Sequence, residues 1–227
     1  MQFDVSHGPS NAVVKVTLNP NESITAEAGT MIAMSGGVTI TTTTRQRPGS
    51  GIFKAIKRVL SGESFFLNHF AAGNTPGSVW LAPVLPGDIR AIQLTGRGMV
   101  VQGGSYLACS PSVSIDLNFQ GFKSLFAGEG LFWLKATGSG SLCLSSFGAI
   151  YPIEVKGEYI VDSGHIVAFD EGLEFSLTKA GTSWISSFLG GEGIVTRFRG
   201  QGTVWCQSHS PRGFGLALGP ELRPRRA

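Results

Sequence analysis

Three stretches of this chain align with one another without a gap, and that self-similarity restricts the fold more than anything else in it. Residues 24–40 read ITAEAGTMIAMSGGVTI, residues 99–115 read MVVQGGSYLACSPSVSI, and residues 159–175 read YIVDSGHIVAFDEGLEF. Gly29, Gly104 and Gly164 fall in one column, and Ala33, Ala108 and Ala168 in another. Ile32, Leu107 and Val167 share an apolar column, as do Val38, Val113 and Leu173. Glu27, Gln102 and Asp162 share a column of side-chain oxygens.

Two further blocks recur downstream in the same order. SGESFFLNHF starts at Ser61, AGEGLFWLKA at Ala127 and GGEGIVTRFR at Gly190. GSVWL follows from Gly77, GSLCL from Gly140 and GTVWC from Gly202, which aligns Trp80, Cys143 and Trp205. Three blocks, three times, in one order, mark an internal repeat. The expected organisation is one body over residues 1–211, made of repeats at about 1–84, 85–150 and 151–211, with 212–227 as a solvated tail.

Short β-branched and aromatic runs broken by glycine predict strand–turn–strand units. Gly29, Gly104 and Gly164 are expected at φ > 0, where a side chain is opposed. The runs FFLNHF, LFWLKA and IVTRFR read as strands, each followed by a turn and a return strand. One antiparallel unit cannot cover both faces of its own sheet, so three should pack as an all-β body with pseudo-threefold symmetry. Between the first and second blocks each repeat holds a short apolar stripe with helical spacing: IFKAIKRVL, FQGFKSLF and TSWISSFL. The first is basic, with Lys54, Lys57 and Arg58 off the stripe. A basic amphipathic helix suits a membrane surface, but recurrence in all three repeats favours a part of the fold.

Little here points to catalysis. No phosphate-binding loop, dinucleotide fingerprint or nucleophile elbow is present. The four histidines are scattered, and His165 reads as a turn residue. The three cysteines lack C-x-x-C spacing, which predicts reduced thiols and no disulfide framework. The net charge of +3 is too small to mark a nucleic-acid binder by itself. No uninterrupted apolar run of about 18 residues occurs, so no membrane-spanning helix is expected. The opening MQFDVSHGPS has no secretory pattern, and a cytoplasmic location is expected. The strongest constellation is Glu63, Glu129 and Glu192, each directly after a glycine. Brought to one pole, they would raise one another's pKa or hold a cation. Accepting N–H bonds at their own turns is the simpler role, and it is the one favoured.

The words EAGTMIAMSGGV, SGESFFLNHF and GSVWLAPVLPGDI, in that order, resemble the family of altered inheritance of mitochondria protein twenty-four and its bacterial relatives of unknown function. The likeness runs from about residue 2 to about residue 211. It implies a triplicated unit like that of the tryptophan RNA-binding attenuation protein, related to the double-stranded β-helix. It supplies no catalytic residue, cofactor or metal. The eukaryotic members are linked to mitochondrial inner-membrane organisation, and the bacterial ones have no established ligand.

The expectation is therefore a non-enzymatic scaffold or interaction protein, peripheral to the inner face of a membrane, with Lys54, Lys57 and Arg58 as a partner or membrane patch. An excess of aromatic residues, 15 Phe and 4 Trp, predicts a homo-oligomer that hides them. The alternative is a module binding a small ligand or nucleic acid in clefts between repeats, although no basic RNA-binding triplet recurs.

Overall fold

The computed structural model describes residues 1–43, 65–117, 133–179 and 194–222. It is built almost wholly of antiparallel β-structure. Strands β1 (Gln2–Ser6), β2 (Val13–Leu18), β3 (Ser23–Glu27), β4 (Met31–Met34), β5 (Val38–Thr43), β6 (Leu67–Ala72) and β7 (Gly77–Leu81) come first. Next are β8 (Ile89–Thr95), β9 (Met99–Gln102), β10 (Tyr106–Cys109), β11 (Val113–Asp116) and β12 (Trp133–Ser145). Then follow β13 (Ile150–Asp162), β14 (Ile166–Asp170), β15 (Glu174–Lys179) and β16 (Ile194–Gln207), and a helix α1 (Pro211–Leu218).

Period-two alternation drives the strands. In β2, Val14, Val16 and Leu18 are buried while Val13, Lys15 and Thr17 are partly open to solvent. β12 is a spine. Its first half pairs with β9 and β11, and its second half with β8 and β10. β16 does the same with the two halves of β13 and with β15 and β14. In the first third of the chain β6 pairs with β3 and β5, and β7 with β2 and β4.

Residues aligned in sequence hold matching ladder positions. Ala33 lies opposite Trp80, Ala108 opposite Cys143, and Ala168 opposite Trp205. The register slips just before each alanine, skipping Ile32, Leu107 and Val167. Glu27, Gln102 and Asp162 lie opposite Leu67, Trp133 and Val195.

Several local expectations need correction. The glycines of ATGSGS and RGQGT do not reverse the chain. β12 and β16 continue through them as single strands of 13 and 14 residues. Gly138 and Gly200 both take φ +112, so glycine bends the spine where a reversal was expected. Only the first spine is interrupted, between Ala72 and Gly77. Nor are the turns at 29, 104 and 164 hairpins. The strands flanking each are not paired to each other. Of the three glycines only Gly29 has positive φ, at 90°. Gly104 and Gly164 sit in 3-10 turns, whose φ is negative, so no left-handed residue is required there. At Gly164 the constraint is room: a Cβ would sit 2.7 Å from Ser210 Oγ.

The buried residues form three apolar clusters. The first holds Val14, Val16, Ile24, Phe70, Val79 and Leu81, and also Leu107, Ala108 and Cys143 from the next third of the chain. The second holds Val101, Tyr106, Leu134 and Leu142, with Val167 and Ala168 from the last third. The third centres on Phe169, Phe198 and Val204, with aromatic rings of Trp133, Phe169 and Phe198 edge to face at 5.0 to 5.8 Å.

Candidate functional site

The sequence-derived candidates Lys54, Lys57, Arg58, Glu63, Glu129 and Glu192 all lie outside the described residues, as do the three helix-like stripes. Neither a basic patch nor convergence of the carboxylates is therefore placed. Among the described residues, no group of three or more His, Cys, Asp or Glu side chains is arranged to hold a metal ion.

The thiols are interior. Cys109, Cys143 and Cys206 are free and buried, and burial pushes each up to about 12. A thiol held that high is not a thiolate near neutrality and is a poor nucleophile. His165 sits in a 3-10 turn with Nδ1 2.8 Å from the Gln207 carbonyl. His69 lies between the hydroxyls of Thr25 and Thr43, at 3.0 and 2.8 Å. Both have structural partners.

One polar group is out of the ordinary. Glu27 closes β3, and burial alone raises its carboxyl from 4.5 to about 7. Its counterparts are accommodated differently. Gln102 accepts a hydrogen bond from Ser105 Oγ, and Asp162 accepts one from the Gly164 N–H at 2.7 Å. After Glu27 the turn differs: the Thr30 hydroxyl bonds the Glu27 carbonyl, not the side chain. Nearby, buried Tyr106 donates to the Thr25 carbonyl at 2.9 Å and tethers β10 to β3.

Apolar surface is the larger feature. All four residues of β4 are exposed, whereas β10 is wholly buried, as are Ile166 to Phe169 of β14. The skipped residues show the contrast best: Ile32 is 56% exposed, and Leu107 and Val167 are 0%. Met31 and Met34 flank it in the open. On β13, Tyr159 and Ile160 are about half exposed, while their counterparts on β3 and β9 are buried. A second patch lies on α1. The segment expected to be a tail starts as a helix, with Ser210 capping the Gly213 N–H and Pro211 at the first position. Phe214 meets Phe147 edge to face at 5.3 Å. Leu216, Leu218 and Leu222 remain exposed.

None of these surfaces was singled out from sequence. MIAM in β4 is no more apolar than YLAC in β10, so composition gave no sign of which would be covered. The Ser-Pro start of α1 was readable as a helix entry.

Comparison with known proteins adds a family and a fold. The profile described as "Mitochondrial biogenesis AIM24" matches residues 3–209. An uncharacterized protein of Streptococcus pyogenes serotype M6 is 30% identical over 225 residues, covering 96% of this chain and 90% of that protein. A crystal structure of a Streptococcus pyogenes protein superposes with a TM-score of 0.79 at 29% identity, covering 97% of this chain and 99% of that one.

Proposed function

Because the chain belongs to the mitochondrial biogenesis AIM24 family, we propose that it is a non-catalytic scaffold working through contacts with other macromolecules, and that it self-associates. The observation that carries this reading is β4, a strand exposed at every residue and bearing Met31, Ile32 and Met34. Soluble chains rarely leave such an edge open unless something covers it. The interior placement of the thiols also favours a surface role over chemistry.

Pseudo-threefold repetition of a unit like the tryptophan RNA-binding attenuation protein belongs to this proposal. Its support is the matching register of Ala33, Ala108 and Ala168 against Trp80, Cys143 and Trp205. Light scattering tests the self-association: a species heavier than the 23.9 kDa chain is expected at micromolar concentration, and a monomer alone would overturn it.

A peripheral membrane role rests on a separate observation, the exposed Leu216, Leu218 and Leu222 at the C-terminal end. Arg212 lies on the same helix, and Arg223, Arg225 and Arg226 follow in sequence. Apolar side chains beside basic ones suit an anionic lipid surface at the cytoplasmic side. Among the described residues no helix is long and apolar enough to cross a membrane. Sedimentation with phosphatidylserine vesicles should capture the wild type, and Leu216→Ser with Leu222→Ser should lose that binding. No capture of the wild type would remove the membrane role.

A further inference from the structure

We propose that copies of this chain join head to tail, the open edge of β4 in one copy pairing with the open edge of β13, at residues 159–161, in the next. The inference rests on the repeat reading above and names the surface by which the scaffold self-associates.

The chain makes this kind of joint twice within itself. β3 pairs with β10, with Ala26 opposite Ala108 and Thr25 opposite Cys109. β9 pairs with β14, with Val101 opposite Ala168 and Val100 opposite Phe169. In the aligned blocks Ala26, Val101 and Val161 share one column, and Ala33, Ala108 and Ala168 another. Both joints therefore use the same two columns in the same antiparallel register. A third pair of edges remains: β13 at Val161 and β4 at Ala33. Among the described residues β4 pairs only with β7, and residues 159–161 of β13 only with β16. Both edges are open among the described residues, so these strands of a single copy do not close on one another.

Each internal joint also inserts a side chain. The skipped residue Leu107 packs into the first apolar cluster and Val167 into the second. Among the described residues the third cluster contains no counterpart, and the remaining member of that column, Ile32, stands in solvent. The exposed residue of that column and the cluster that takes none lie at opposite ends of the repeat order. A second copy brings a strand with the needed bulge, register and plug, and that continuity with the two internal joints names the occupant. The joint would set Ala33 opposite Val161 and Met34 opposite Ile160. Two different surfaces meet, so the contact is heterologous and grows into a ring or a fibre, not a two-fold dimer.

Two measurements on the full chain test this. Met34→Cys and Ile160→Cys are made separately and oxidised alone and as a mixture. Directly opposed antiparallel residues are close enough for a disulfide, and the native thiols are buried. A cross-linked pair is expected in the mixture and in neither variant alone. In parallel, Ile32→Asp is followed by analytical ultracentrifugation and thermal unfolding. Because Ile32 is exposed within one chain, its melting as a monomer should stay cooperative. Its self-association should weaken by about tenfold or more, since the joint would bury an unpaired carboxylate. A cross-link within either variant alone, no cross-link in the mixture, or unchanged assembly of Ile32→Asp would overturn the edge pairing. If the wild type still assembles in those cases, the scaffold reading stands through another surface. A wild type that is monomeric at all concentrations refutes both the pairing and the self-association.

Discussion

Replacing Glu27 by glutamine should stabilise the protein near pH 8 and not near pH 4. Burial raises the Glu27 carboxyl from 4.5 to about 7. The unfolded chain holds the ordinary value, so between these pH values the folded state binds the extra proton. Stability contributed by the protonated group is then complete below pH 4.5. It is lost progressively as pH rises toward 7. At roughly 1.4 kcal/mol for each tenfold change in proton affinity, the loss is about 3 kcal/mol. Glutamine carries no charge to desolvate but still places an amide in the half-buried site, which costs about 1 kcal/mol. The net expectation is a gain of about 1–2 kcal/mol at pH 8. For a chain of this length that is a rise in Tm of about 3–6 °C. At pH 4 the wild-type carboxyl is neutral and carries no such loss, so there the variant should be the less stable by the roughly 1 kcal/mol of its amide. Calorimetry at fixed protein concentration across pH 4 to 8 provides the comparison. A wild type whose stability rises between pH 5 and 8, or a variant that gains equally at both extremes, would refute the account. Gln102 is the internal precedent, an amide in the same column accepting from Ser105.

Other outcomes follow from positions already described. Gly138→Ala should destabilise by about 2–3 kcal/mol or more, because φ is +112 and a Cβ would lie against the Ser112 carbonyl; denaturant titration measures it. Phe198→Ala, at the centre of the third cluster, should cost about 3–5 kcal/mol by the same titration. Cys109, Cys143 and Cys206 should be silent to a colourimetric thiol reagent at pH 8 and react together on unfolding; fast reaction of the native protein would contradict their burial.

Antiparallel strands and their register columns could be read from the chain because alternation and small residues mark them directly. Ala33, Ala108 and Ala168 aligned in sequence and face equivalent partners in space. Chain direction was harder to read. Glycine at 138 and 200 signals an unusual φ, but φ alone does not distinguish a bend from a reversal, so two continuous strands were expected to be four. The candidate patch at Lys54, Lys57 and Arg58 and the three glutamates lie outside the described residues, whereas the open edges appeared only in the fold. Whether MIAM is covered depends on the strand beside its outer edge: YLAC has β3 there, and among the described residues MIAM has none. That is a property of position in the array, not of the residues. Glu27 was noted only as one of three side-chain oxygens. Its separate behaviour comes from a turn that lacks the partners available to Gln102 and Asp162.

The borrowing of Leu107 by the first cluster and of Val167 by the second also sets an order in time. A ribosome releases the chain from its N-terminus. When the first 84 residues are out, β3 is paired on one side only, with β6, and the first cluster lacks Leu107, Ala108 and Cys143. It is completed only after β10 and β12 emerge. By then β9 is waiting in turn for β14, and the second cluster for Val167 and Ala168. At each stage the newest part of the nascent protein ends in an unfinished core beside an unpaired strand edge, the kind of surface that aggregates or recruits a chaperone. A chain halted after residue 150 would stay in that condition. Synthesis therefore carries one sticky end forward, and among the described residues its last position is at Tyr159 and Ile160.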